Sequence, residues 1–89
     1  MIQDHLDLHG HTRDEAREAV SAFLLQARRR ELRCLRIVHG KGMGSPGREP
    51  VLKKLVLGWL SQRREVLAFC QARGADGGAG AVVILLAAP

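Results

Sequence analysis

The sequence predicts an α/β fold: a two-layer α/β sandwich of order βαβαββ, with a mixed four-stranded sheet and two helices on one face. Three observations carry this expectation. Two stretches place apolar residues at helical spacing, four short apolar segments have strand length, and a helical stretch separates the first three of these segments from one another. Two helices cover one face of one sheet, hence two layers. Strand–helix–strand units predict parallel neighbours with right-handed crossovers, and a short turn before the last segment predicts an antiparallel pair. With 89 residues and no linker, repeat or low-complexity tract, the chain reads as a single domain, 1–89.

In order, Leu6-Asp7-Leu8-His9 alternates apolar and polar residues as a strand and ends at Gly10. Thr12-Arg13-Asp14-Glu15 is a capping box, in which the Thr12 hydroxyl can take the Glu15 amide while the Glu15 carboxylate reaches back. Ala16, Ala19, Val20, Phe23, Leu24 and Ala27 then form one apolar stripe, predicting a helix from about Arg13 to Arg29. Arg28-Arg29-Arg30 suits the negative end of that helix's dipole. A second strand over Leu32 to Val38 runs into the glycine-rich loop His39 to Gly47. Pro50 fits the first turn of a second helix, whose apolar face is Leu52, Leu55, Val56, Trp59 and Leu60. Ser61 to Arg64 is polar punctuation before a third strand, Val66 to Ala72, and the turn Gly74 to Gly80 leads to a fourth, Ala81 to Leu86.

Composition narrows the function. The formal net charge is +5 and the isoelectric point about 10.2, which favours polyanions without implying sequence preference. Phe23, Trp59 and Phe69 are the aromatics, too few for a base-stacking platform, so contacts with phosphate and sugar are expected instead. The longest apolar run, Gly80 to Pro89, is far shorter than the ~18–20 residues of a membrane span, and the N-terminus lacks signal-peptide order. Cys34 and Cys70 stand in strand segments without metal-type spacing and read as reduced, buried small hydrophobes of a cytoplasmic protein.

Chemistry concentrates at two segments. Alternation places His5, Asp7 and His9 on one strand face, away from Leu6 and Leu8, where the Asp7 carboxylate can orient the His9 imidazole for general acid–base work. By itself such a pair is more often solvated surface. His39-Gly40-Lys41-Gly42, however, follows the second strand as His9-Gly10 follows the first, so parallel pairing collects both segments at the carboxyl edge where α/β sheets bind ligands. Glycines let backbone amides approach phosphate, Lys41 adds charge, and Arg13 and Arg48, at the two helix starts, can clamp flanking phosphates. Gly42-x-Gly44-x-x-Gly47 satisfies a dinucleotide-binding pattern, but Pro46 within it and the short chain argue against that site. His5, His9, His11 and His39 lack the helical pairing or cysteine-rich loop of a zinc site, so no metal is expected.

These motifs together resemble the Smr (small MutS-related) domain family across nearly the whole chain, especially its short bacterial stand-alone members. Leu6 to Gly10 with Thr12 to Ala16 matches the family's first motif, His39 to Gly42 its second, and Gly77-Gly78-Ala79-Gly80 its third; Ser45 to Lys53 resembles the stand-alone type. The departures are His11, where an apolar residue is usual, and Ala79, where Thr or Ser is common. The resemblance implies a fold like the C-terminal domain of a bacterial translation initiation factor. It also implies endonuclease activity, on messenger RNA at stalled ribosomes or on DNA in repair and recombination. Asp7, His9, His39 and Lys41 are then the expected catalytic residues, and Gly10, Gly40, Gly42, Arg13, Arg48, Gly78 and Gly80 the expected nucleic-acid contacts. The expected partners are the RNA or DNA backbone and the ribosome, with no membrane, and the expected state is a monomer. No cofactor is expected, although a divalent cation is compatible with the chemistry. The rival expectation is a non-catalytic module that uses the same edge to hold nucleic acid or a ribosomal surface.

Overall fold

The computed structural model describes residues 1–40 and 51–88. Its elements are β1 (Asp4–Asp7), α1 (Arg13–Arg29), β2 (Cys34–Val38), α2 (Val51–Ser61), β3 (Val66–Gln71) and β4 (Ala81–Leu86), with two 3₁₀ turns, Gly74–Asp76 and Gly78–Gly80, before β4. The expected loop positions Lys41, Gly42, Gly44, Pro46, Gly47, Arg48 and Pro50 lie outside the described residues.

Helix α1 follows the predicted boundaries because its start and stop are local. Thr12, in extended conformation, accepts the Glu15 amide at 3.2 Å, and the Glu15 carboxylate accepts the Thr12 amide at 2.8 Å. Its buried stripe is Ala16, Val20, Leu24 and Ala27. At the other end Glu31 adopts a left-handed conformation, φ 59°. The Leu32 amide donates to the Ala27 carbonyl at 2.9 Å and the Glu31 amide to the Arg28 carbonyl at 3.0 Å, the paired bonds of a Schellman stop. Leu32 packs on the core, which completes the cap.

The sheet order is β1-β2-β4-β3. β1 and β2 are parallel, and β4 runs antiparallel to both β2 and β3. The strand–helix–strand order predicts β2 and β3 as parallel neighbours. They do run in the same direction, but β4 lies between them. The reason is apolarity: Ala81-Val-Val-Ile-Leu-Leu86 is the strand best buried by a partner on each side, whereas β3 exposes Leu67, Ala68, Cys70 and Gln71 and suits an edge. A register shift between Val66 and Ala68 leaves Leu67 turned outward on that edge.

Both helices cover the same face. Leu35 and Ile37 pair with Ile84 and Val82, and these four form one cluster with Ala16, Val20 and Leu24 of α1 and Val56 and Leu60 of α2. The opposite face carries His5, Asp7, Arg36, Val38, Val83, Leu85 and Cys70, and among the described residues neither α1 nor α2 covers it. This corrects the cysteine expectation: Cys34 is half-buried and Cys70 exposed, both as free thiols, because their strand positions alternate onto the uncovered face. β4 runs between them, since Cys34 pairs with Leu85 and Cys70 with Val83. Two strand spacings, about 9.5 Å, exceed the ~7 Å Cα reach of a disulfide. Among the described residues no helix is long and apolar enough to cross a membrane.

Candidate nucleic-acid site

The rim formed by the carboxyl ends of β1 and β2 and the amino end of β4 is stitched together by main-chain bonds. Asp7 pairs with Val38, and Val38 with Ala81, as the last row of the sheet. Beyond that row the Leu8 amide donates to the Val38 carbonyl at 2.8 Å, and the amides of His39 and Gly40 both donate to the Gly80 carbonyl at 3.0 Å. Three loops separated by tens of residues therefore meet: the one after β1, the one after β2 and the glycine turn before β4. The expected meeting of the His9 and His39 segments on adjoining parallel strands is the geometry observed.

The internal geometry of the Asp7–His9 pair differs from the expectation. β1 ends at Asp7, two residues early, and Leu8 is fully buried. His9 therefore does not share a strand face with Asp7. It sits in a turn closed by the His11 amide donating to the Leu8 carbonyl at 3.0 Å. Gly10, with φ +77°, holds the third position, where a type II turn demands a positive φ. The Asp7 carboxylate accepts the His9 backbone amide at 2.8 Å. Among the described residues no group hydrogen-bonds the His9 ring, which is exposed. The carboxylate thus shapes the turn that presents the imidazole and leaves the ring itself open. His11 lies beside it, its Nδ1 3.3 Å from the His9 carbonyl. His5, on the same uncovered face as Asp7, is exposed.

His39 is placed in the opposite manner. It is 6% exposed, because alternation from buried Ile37 turns it toward the helix layer. Its Nδ1 lies 2.8 Å from the Gly40 carbonyl. A carbonyl can only accept, so Nδ1 carries the proton and the lone pair of the neutral ring is on Nε2. Burial lowers the His39 pKa most, the bond to Gly40 opposes this, and the positive charge of Lys53 on α2 lowers it further. The ring ties the Gly40 end of the loop to the fold.

The remaining expected contacts divide. Arg13 and Gly10 are exposed at the start of α1, and the Gly10 amide has no intramolecular partner among the described residues. The Gly40, Gly78 and Gly80 amides are instead committed internally, to Gly80, Arg73 and Gly77 carbonyls at 3.0, 2.9 and 3.0 Å, and Gly80 is buried. Those three glycines shape the rim but offer it no free donor. Lys41, Gly42 and Arg48 lie outside the described residues.

Two further residues shape the site: Gly77, which the sequence shows only as part of the glycine motif, and Arg36, which its pattern does not single out. Gly77 has φ +116°, and a Cβ there would stand 2.8 Å from the Ala81 Cβ, so only glycine fits the turn that aims the Gly80 carbonyl. Arg36 shares a row with His5 on the uncovered face; its guanidinium donates to the Asp76 carbonyl at 3.1 Å, while its buried Nε has no partner among the described residues. An arginine amid the apolar residues of β2 was the available signal. Among the described residues no three His, Cys, Asp or Glu side chains are placed to hold a metal.

Comparison with known proteins agrees with this architecture. The family model of the Smr domain matches residues 6–87. Ribosome rescue factor SmrB of Aliivibrio fischeri (strain MJ11) is 36% identical over 84 residues, covering 94% of this chain and 44% of that protein. The same-named protein of Vibrio vulnificus (strain CMCP6) is 37% identical over 84 residues with the same coverage. The chain thus spans less than half the length of these relatives. The crystal structure of the Smr domain of Thermus thermophilus MutS2 superposes with a TM-score of 0.84 at 33% identity, covering 96% of this chain and 99% of that one. YdaL, a stand-alone small MutS-related protein from Escherichia coli, gives 0.84 at 33% identity over 92% of this chain and 63% of its own. With the fold, the three motifs and the family match in agreement, the chain belongs to the Smr domain family.

Proposed function

We propose that this domain is an endonuclease that cleaves RNA without a metal ion. The observation that carries the reading is an exposed His9 imidazole in a turn held by the Asp7 carboxylate, at a rim shared with the His39-Gly40 segment on a chain of net charge +5. His9 takes the proton of a 2′-hydroxyl, and the 2′-oxygen attacks the adjacent phosphorus. The bond from phosphorus to the 5′-oxygen breaks, and that oxygen takes a proton from the Lys41 ammonium as it leaves. Lys41, one residue beyond Gly40, supplies positive charge to the phosphorane and the leaving oxygen. Buried His39 holds the Gly40 segment and is not itself the acid. Arg13 and Arg48 grip flanking phosphates. The setting we propose is messenger RNA on a stalled ribosome, in the cytoplasm, as the name of the SmrB relatives suggests; nicking of DNA is the competing substrate.

Labelled single-stranded RNA, duplex DNA and supercoiled plasmid, each incubated with and without EDTA, test this reading. RNA cut in EDTA to 2′,3′-cyclic phosphate and 5′-hydroxyl ends is expected, with DNA intact. Cleavage abolished by EDTA, or equal cutting of DNA, overturns it. Binding with no cutting of any substrate, unchanged in an Asp7→Ala/His9→Ala variant, makes the domain a non-catalytic module.

A further inference from the structure

Among the described residues, six arginines gather away from the candidate site. Arg28 and Arg29 end α1, Arg30 caps it, Arg33 precedes β2, and Arg63 and Arg64 lie between α2 and β3. All six therefore occupy the rim formed by the amino ends of β1, β2 and β3 and the carboxyl end of β4, opposite the rim that carries His9. Contacts bind the set together. Arg30 pairs with Asp4 of β1 at 2.9 Å. Arg33 donates to the Leu86 carbonyl at the end of β4 at 2.7 Å. Arg63 bonds the Ser21 hydroxyl of α1 at 2.6 Å and Glu65 at 3.3 Å. Arg28 stands two turns beyond Ser21 on the same side of α1, which brings it toward Arg63 and Arg64. Among the described residues the side-chain carboxylates here are Asp4, Glu31 and Glu65, two of them already paired, so the six arginines outnumber them by three.

Compensation of the helix dipole accounts for basic residues in the last turn of α1. It does not account for Arg64, which lies beyond a helix with no basic residue in its own last turn. Arg28, Arg29 and Arg64 are exposed and have no side-chain partner among the described residues. Every cation of the set is arginine, whose planar fork matches phosphate oxygens bidentately.

We propose that this arginine rim is a second nucleic-acid contact surface, engaging the phosphate backbone of an RNA strand whose other part lies at the His9 rim. The inference takes only the class of ligand from the proposed function and stands on charge placement, not on cleavage. The five residues of β2 separate the rims by about 17 Å. A stacked strand, rising ~3.4 Å per nucleotide, passes from one to the other in roughly five nucleotides, and an extended strand in fewer.

The test uses RNA bearing 2′-O-methyl groups, which cannot be cut through the 2′-oxygen, so binding is read even if the domain is not a nuclease. The affinity for a long oligomer of about 20 nucleotides is measured by fluorescence anisotropy across a salt series, for the intact chain and for Arg28→Gln/Arg29→Gln/Arg64→Gln and Arg17→Gln variants. For the long oligomer the slope of log affinity against log salt should fall by about 2, near 0.7 for each lost phosphate contact. Affinity near 0.1 M salt should drop at least ~10-fold. The triple lysine variant should retain most of the slope. An unchanged slope for the long oligomer overturns the proposal, as does a fall no larger per charge than that of Arg17→Gln, an exposed arginine of α1 outside the rim. Polyglutamate displacing the long RNA as well as RNA itself does would make the rim an acidic-protein contact and overturn it too.

Discussion

The Asp7 carboxylate accepts the backbone amide of His9 at 2.8 Å, and not its ring. One bond thus links the end of β1 to the conformation of the turn that exposes the imidazole. Any role of Asp7 in chemistry has two separable parts: the shape of this turn, and a negative charge near the reacting proton.

Substitution separates them. Asp7→Asn keeps an oxygen for the His9 amide and removes the charge. The melting temperature should stay unchanged while RNA cleavage falls by about 10²-fold or more. Asp7→Ala should lose the turn as well. A wild-type rate in the asparagine variant would reduce Asp7 to a turn former.

His39 makes stability pH-dependent with a definite sign. Its folded pKa lies below the ordinary value of about 6.5 because burial disfavours the imidazolium. The unfolded chain therefore binds the proton more readily. Stability is full above pH ~6.5 and is lost as the pH falls through the lower, folded value. His39→Asn, whose side-chain amide can still donate to the Gly40 carbonyl, should flatten this loss. Urea midpoints at a pH above 7 and one near 5.5 check it; equal slopes for both proteins would count against a buried neutral ring.

Gly77→Ala meets two obstacles, the positive φ of +116° and the Ala81 Cβ at 2.8 Å. A loss of about 2–3 kcal/mol is expected. Cleavage should suffer beyond the stability loss, because the same turn places the Gly80 carbonyl that holds the His39 and Gly40 amides. Ala79→Ser, at an exposed neighbour, should stay within about 0.5 kcal/mol of the parent. Calorimetry and cleavage rates on both variants report the contrast.

Glu31→Gly should stabilise the protein. Glu31 closes α1 in a left-handed conformation that costs a side-chain-bearing residue about 1–2 kcal/mol. Glycine removes that strain and returns part of the gain as unfolded-state entropy. A net of about 0.5–1 kcal/mol, a rise of several degrees in melting temperature, is expected. A lower melting temperature would show that the Glu31 side chain contributes more than its backbone strain costs.

Most of this architecture was legible in the sequence wherever the signal is local. The Thr12–Glu15 box and the Ala16-to-Ala27 stripe set α1 to the residue, and Ala81 to Leu86 was readable as the most apolar strand. The rim was legible too, as two histidine–glycine segments each following a strand. Less legible were which glycine is indispensable and which histidine is exposed. The first depends on where Ala81 comes to lie and the second on what covers each ring.

What the sequence determined by itself is whatever depends on neighbours within a few positions: caps, periodicity, turns and net charge. Only the tertiary structure decided that β4 enters between β2 and β3, that the two thiols face away from the helices, and that His39 is buried while His9 is open. Burial is a property of what covers a side chain, and in this fold the covering groups come from elements tens of residues away.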